Sequence, residues 1–304
     1  MKLRRLDLNL LVALDALLTE RHVTRAGERI GLSQSAASSA LRRLREALDD
    51  DILVRTPSGM EPTPRALEMA APVRRILRAS ERLLDAGRPF DPATSALQLR
   101  LRMSDVLGAL LLPGLMARLA TEAPGLRLDI VHLPPEATLA ALEDDDIGLA
   151  VSMDLPHGGS IRRAALLRDR MVCLFDPAHA PPGPMTLERF LAARHLRVSI
   201  SPNDGRYVDA ELSRLGHVRH VALNAPHWLL APRVLRGSDL VAVLSERLAR
   251  RVAAEEGAPL ALAPLPFGAA DFHWSLYWHR RTDRTPALRW LRARLAETAA
   301  ALEP

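Results

Sequence analysis

The sequence predicts an α/β protein with an all-α-rich N-terminus, built from a small helical unit, a long linking helix and two α/β lobes. Three observations carry this. Apolar residues recur at helical spacing up to Gly87. The stretch PFDPATS, Pro89 to Ser95, has the composition of a linker. Beyond it, short extended apolar runs alternate with helical ones. With 304 residues, 48% of them hydrophobic and 4% aromatic, the chain can bury a sizeable core. No apolar run approaches the ~20 residues that cross a bilayer. Met1 to Asp7 is charged and no h-region follows it, so a cytoplasmic protein is expected. The single cysteine, Cys173, can form no internal disulfide, and there is no thiol cluster to hold zinc or an iron–sulfur centre; neither a metal nor a cofactor is expected. Residues 1–90 hold 16 Lys/Arg against 12 Asp/Glu, and the rest holds 25 against 24, so the basic surplus lies at the front.

Leu8, Leu11, Val12, Leu14 and Leu18 mark a first helix with one buried stripe, Leu8 to Glu20. Thr24 can cap a second, short helix that packs Ala26 and Ile30 inward and stops at Gly31. Ser33 caps a third, which carries Ala37, Leu41, Leu44 and Leu48 on one face and polar residues on the other. Ile52 to Arg55 is a short extended run before a turn through Pro57, Ser58 and Gly59, which reads as a β-wing. Thr63-Pro64 begins a helix that continues to about Ala86. Leu67, Ala70, Val73, Leu77 and Leu84 approximate a heptad seam along it, and Pro72 should kink it. That helix can link domains or dimerise with its mate.

After the linker, strands are expected at 97–103, 126–132 and 147–152, with helices from Ser104 to about Ala123 and from Glu136 to Asp144 between them. That βαβαβ order implies a parallel sheet covered by helices. A second set follows: strands at 171–175, 196–200, 218–223 and 240–244, and helices near 187–193, 207–215, from Pro226 and at 246–256. Strand 272–278 and helix 286–301 then return to the first lobe. The expected chain crossings lie near Leu155 to Arg163, where PHGGS is flexible, and near Pro264 to Gly268.

A short helix, a brief turn and a helix exposing Gln34, Ser35, Ser38, Ser39, Arg42 and Arg43 make a shape and a chemistry that suit the major groove of DNA; a solvated face on a plain helical bundle is the alternative. The stretch LNLLVALDALLTERHVTRAGERIGLSQSAASSALRRLREALDDDILVRTPSGMEPTPRAL, Leu8 to Leu67, resembles the N-terminal domain of LysR-type transcriptional regulators almost position by position. The likeness continues through RLRMSDVLGALLLPGLMARL, ALEDDDIGLAVS and FHWSLYWHRRTDRTPALRWLRARL, the last resembling the branch that contains nodulation and aromatic-degradation regulators.

The resemblance implies a winged helix-turn-helix at 1–62, a linker and dimerisation helix at 63–88, and a two-lobed effector domain similar to periplasmic binding proteins. Lobe 1 would comprise 95–162 and 267–304, and lobe 2 would comprise 163–266. It implies double-stranded DNA with a pseudo-palindromic operator, a small-molecule effector, a homodimer or homotetramer, and RNA polymerase as a further partner. Gln34, Ser35, Ser38 and Ser39 match base-facing positions, and Arg42 and Arg55 match phosphate-facing ones. The sequence departs from the family at Leu53, where phenylalanine is usual, and at Ser58, which replaces a basic wing-tip residue. It departs again at Asp145, where glycine is common, and at Gly148, where aspartate is.

Strand ends and helix starts, where open α/β sheets hold ligands, select Ser104 and Asp105, then Ser201 to Asp204 with Asn203 among them, and then Asn224, Pro226, His227 and Trp228. Ser104, Ser201 and Asn203 can bind a carboxylate, His227 can add a switchable charge, and Trp228, Phe267 or Phe272 can stack on a ring, which together suit an aromatic carboxylate. Each serine is equally suited to capping and each aromatic to a core. No GxSxG, P-loop, GxGxxG or HExxH occurs, and Cys173 sits in the apolar run MVCLF, so an enzyme is not expected.

Overall fold

The computed structural model describes residues 7–57, 59–84, 89–180, 183–199, 206–253, 259–268 and 271–302. It divides into two compact units, Met1–Pro89 and Phe90–Pro304.

The first unit contains helices α1 (Asn9–Glu20), α2 (Val23–Arg29) and α3 (Gln34–Leu48), the hairpin β1 (Leu53–Thr56) and β2 (Gly59–Pro62), and the long helix α4 (Pro64–Leu84). Leu11, Leu14 and Leu18 of the expected stripe are buried, together with Leu10 and Leu17, while Leu8 and Val12 are exposed. The helix is apolar around most of its circumference, so spacing alone does not set its rotation. Thr24 is not the cap of α2. The cap lies two residues earlier, and His22, held extended, accepts the Arg25 N–H on Nδ1. Gly31 ends the segment at φ +69°, a conformation glycine adopts without strain. Ser33 Oγ accepts the Ala36 N–H at 3.2 Å and starts α3, which buries Ala37, Leu41 and Leu44. Thr63 Oγ1 accepts the Ala66 N–H at 3.0 Å and starts α4, which stays helical through Pro72. Its inward residues are Ala66 and Val73, flanked by Met69, Ala70 and Leu77; Leu67, expected in the seam, faces out.

The second unit runs β3 (Gln98–Arg102), α5 (Asp105–Glu122), β4 (Arg127–Val131), α6 (Pro135–Glu143), β5 (Leu149–Ser152), β6 (Ile161–Asp169) and β7 (Met171–Phe175). It continues with α7 (Leu187–Ala192), β8 (Arg194–Val198), α8 (Arg206–Arg214), β9 (His220–Ala225), α9 (Ala231–Leu235), β10 (Leu240–Ser245) and α10 (Glu246–Ala253). It closes with β11 (Ala261–Pro264), β12 (Phe272–His279) and α11 (Pro286–Ala300). Two five-stranded sheets result, ordered β4-β3-β5-β12-β6 and β11-β7-β10-β8-β9. The expectation of parallel sheets holds only for β3 with β4 and β5, and for β8 with β9 and β10. Strand β12 runs antiparallel to β5 and β6, and β7 runs antiparallel to β10 and β11.

Strand β6 moves the expected outward crossing. Residues 161–169 pair along their length with β12 in the first sheet, so the chain passes between sheets at Arg170. PHGGS is tied to the first lobe instead: the Ser160 hydroxyl donates to Glu143 at 3.1 Å, the Arg280 N–H donates to Ser160 O at 2.8 Å, and just before it the Tyr277 hydroxyl accepts the Leu155 N–H at 3.1 Å. At the true crossing, buried Asp169 accepts the Arg170 and Arg247 backbone N–H groups on Oδ1 and Trp274 Nε1–H on Oδ2, joining β6, α10 and β12. One apolar core runs from α5 and α11 through both sheets to α9 and α10. The opposite face of the second sheet packs Cys173, Phe190, Val208 and Leu212. Asp145 sits at φ +63°, which accounts for glycine being common there, and a Cβ on Gly148 would come within 2.7 Å of Leu288 Cδ2.

Candidate functional site

Helix α3 presents Gln34, Ser35, Ser38, Ser39, Arg42 and Arg43 to solvent, all exposed, because Ala37, Leu41 and Leu44 turn the opposite face onto α1 and α2. The short polar side chains lie in its first two turns. Ser35 Oγ lies 3.0 Å from the capping Ser33 Oγ. The two arginines are already engaged within the unit: Arg42 with Glu46 at 3.2 Å, and Arg43 with Asp7 at 2.8 Å. The Arg43 hydrogen bond, joined by the Asn9 N–H, holds the Asp7 carboxyl below the usual carboxylate range. Arg55 is exposed on β1, and Leu53, in place of the usual phenylalanine, is fully buried. Ser58 lies outside the described residues.

Spacing alone did not single out Gly27. A Cβ there would meet Leu32 O at 2.9 Å and Ala37 Cβ at 3.1 Å, so the glycine lets α2 lie close against the start of α3.

In the second unit, Ser104 Oγ accepts the Leu107 N–H and caps α5, so its hydroxyl serves the helix. Asp105, the first residue of α5, accepts the Leu229 N–H on Oδ2 at 3.0 Å, and Leu229 belongs to the other lobe, in the 3-10 turn Trp228–Leu230. Asp105 Oδ1 is buried and has no hydrogen-bond partner among the described residues. His132 follows β4 in the first lobe and His227 precedes the turn in the second; their rings stand 6.3 Å apart. The structure therefore gathers Ser104, Asp105, His227 and Trp228 where the lobes meet. Trp228 also packs on the shared core. Phe267 lies edge-on to Phe190 at 5.3 Å in the second-lobe core, and Phe272 edge-on to Trp274 at 5.1 Å near the crossing. Ser201 and Asn203 lie outside the described residues.

His132 and the Leu229 amide went unmarked in the sequence, although the strand-end rule reaches His132, one residue past β4. Arg102 is buried at the end of β3 and donates to the Leu133 and Val151 carbonyls. His195 lies beside Phe190, and burial pushes its pKa down to about 4. Burial pushes the Cys173 thiol up to about 12, which leaves it a weak nucleophile. Among the described residues no group of three or more His, Cys, Asp or Glu side chains could hold a metal, and no helix is long and apolar enough to cross a membrane.

Comparison with known proteins matches both units to one family. Residues 8–67 match the family model for the bacterial regulatory helix-turn-helix protein, lysR family, and residues 93–300 match that for the LysR substrate binding domain. The chain is 38% identical to the HTH-type transcriptional activator NagR of Ralstonia sp, over 98% of each chain. It is 36% identical to the HTH-type transcriptional activator NahR of Pseudomonas putida, over 96% of this chain and 97% of that one. The crystal structure of a probable transcriptional regulator from Pseudomonas aeruginosa superposes with a TM-score of 0.81 at 36% identity, covering 97% of this chain and 98% of that one.

Proposed function

The chain belongs to the LysR family of DNA-binding transcriptional regulators with an effector-binding domain, and we propose that α3 reads its operator while the junction of the two lobes holds its effector. Proteins of this family are regulators and not enzymes. In the proposed complex Gln34, Ser35, Ser38 and Ser39 meet base edges in the major groove, and Arg42, Arg43 and Arg55 meet phosphates. The observation that carries this is the all-polar exposed face of α3, opposite a face buried through Ala37, Leu41 and Leu44. A homodimer or homotetramer on a pseudo-palindromic site follows from two-fold pairing. Ile76 and Leu83, one heptad apart and exposed on α4, supply apolar surface for that pairing. RNA polymerase as a further partner and a cytoplasmic location accord with this role.

The effector is proposed to be a small aromatic carboxylate held by Ser104, Asp105, His227 and Trp228, with Ser201, Asn203, Phe267 and Phe272 as the remaining candidates. The Asp105 carboxylate repels an anion, so the effector's own carboxylate belongs at the His132 and His227 side, with the ring toward Trp228. Binding acts on DNA only through its differential affinity for the assemblies before and after the lobes adjust. Selection of the full-length protein against fragmented source genome at near-physiological salt tests the reading. Enrichment of intergenic sites with an interrupted inverted repeat supports it, and binding without preferred sites overturns the proposed base contacts.

A further inference from the structure

We infer that Asp50 is a positioning residue for DNA recognition: one carboxylate oxygen ties the base of the wing to the start of α4 and so sets where Arg55 meets DNA. Asp50 Oδ1 accepts both the Ile52 N–H and the Thr63 hydroxyl, each at 2.7 Å. Thr63 Oγ1 in turn accepts the Ala66 N–H that opens α4, and the Thr63 N–H donates to Ile52 O at 3.0 Å. Arg45, on the last turns of α3, donates to Asp51 O at 2.8 Å and Leu53 O at 2.9 Å, and Arg65 of α4 donates to Asp49 O at 3.1 Å. The end of α3, the entry to β1 and the first turn of α4 are thereby one hydrogen-bonded node.

The node holds a conformation the chain does not choose unaided. Ile52 is fully buried with φ +62°, where a β-branched side chain crowds its own backbone. Its N–H is fixed by Asp50 and its carbonyl by Thr63, so both its amide groups are satisfied in this bent form. Three residues later comes Arg55, the one basic residue between Leu53 and Pro62. A wing with several cations tolerates a shift by exchanging one for another. A wing with a single cation depends on its position, and a change in the direction of α4 reaches Arg55 through Thr63 and Asp50.

The inference rests on the phosphate contact proposed for Arg55, and a double-mutant cycle on the full chain separates the two. The probes are a 60-bp duplex carrying a site recovered in the genomic selection and a scrambled duplex of equal length. Arg55→Ala should weaken the specific duplex on the order of tenfold and make the salt dependence shallower by nearly one unit of slope per lost phosphate contact. Asp50→Ala should do the same, and the double variant should be no worse than either single one. Asp50→Asn keeps the carbonyl acceptor and Thr63→Ser keeps the hydroxyl, so both should restore binding; Thr63→Val should not, and it serves where Asp50→Ala fails to fold. Additive losses, or an Asp50→Ala protein with a lower melting temperature but an unchanged salt slope, overturn the inference. No loss in Arg55→Ala removes the phosphate contact itself, and a loss in Asp50→Ala alone then assigns Asp50 to something other than Arg55, which overturns it as well.

Discussion

The backbone N–H of Leu229 donates to Asp105 Oδ2 across 3.0 Å, joining the first turn of a first-lobe helix to the 3-10 turn of the second lobe. Residues 124 apart in sequence thus meet at the place where an effector is proposed to bind. A hydrogen bond to a charged group contributes about 1.5–3 kcal/mol, enough to bias the relative position of two lobes. The other oxygen, Oδ1, is buried without a partner among the described residues, so the carboxylate is half satisfied.

Asp105→Ala removes that link. The Leu229 amide should then exchange with solvent at least tenfold faster in the unliganded protein, measured by hydrogen exchange, while amides in β3 and β10 keep their protection. Equal exchange at Leu229 in both proteins would mean the contact does not hold the lobes.

Asp7 and Arg43 make a second, opposed relationship: the carboxylate occupies, at 2.8 Å, an arginine proposed to meet phosphate. Asp7→Asn keeps the oxygen that accepts the Asn9 N–H and removes the charge. Affinity for mixed-sequence duplex should rise several-fold, with a salt slope at least as steep as that of the native protein. Affinity that stays level or falls would show that Asp7 helps Arg43 more by orienting it than it hinders by neutralising it.

The legible parts of this fold were those with a local chemical signature. Ser33, Gly31, Thr63 and Ser104 each mark a helix boundary because one side chain, or the lack of one, satisfies a backbone requirement. Strand β6 had no such mark. IRRAALLRD places two arginines side by side and then two alanines, so it lacks the alternation of a half-buried strand, and only pairing with β12 makes it one. Missing it shifted the expected crossing between lobes to PHGGS. The rotation of α1 was hidden because Leu8 and Val12 are as apolar as the leucines that face inward. At the candidate sites, the residue types on α3 could be read from the face they share, whereas the Asp50 and Asp105 links depend on partners that only the folded chain brings near.

Gly27 has a steric role that an added methyl tests directly. Its Cβ position lies 2.9 Å from Leu32 O, a backbone atom inside the turn between α2 and α3, and 3.1 Å from Ala37 Cβ. Gly27→Ala therefore forces the two helices apart, at a cost of about 1–3 kcal/mol, even though alanine favours a helix. Operator binding should fall at least tenfold while ligand binding by Phe90–Pro304 is unchanged. A Gly27→Ala protein with native operator affinity would show that the turn yields without moving α3.

His195 sets a pH limit on the second lobe. It is fully buried, its Nε2 pairs with Phe190 O, and Nδ1 has no partner among the described residues. Burial, the dominant effect, disfavours the imidazolium and lowers the pKa from 6.5 to about 4, so the fold holds the neutral ring while the unfolded chain takes up a proton. The stability from this group is complete above pH 6.5 and is lost as pH falls from 6.5 toward 4, by about 3 kcal/mol in all. Most carboxylates titrate below the upper part of that window, and among the described residues burial also lowers the pKa of His279, so a fall in melting temperature between pH 6.5 and 5 should come from these two groups, with the deeply buried His195 the larger. His195→Leu, though less stable at pH 7, should flatten that segment. A pH dependence of the same steepness in the variant would place the titrating group elsewhere.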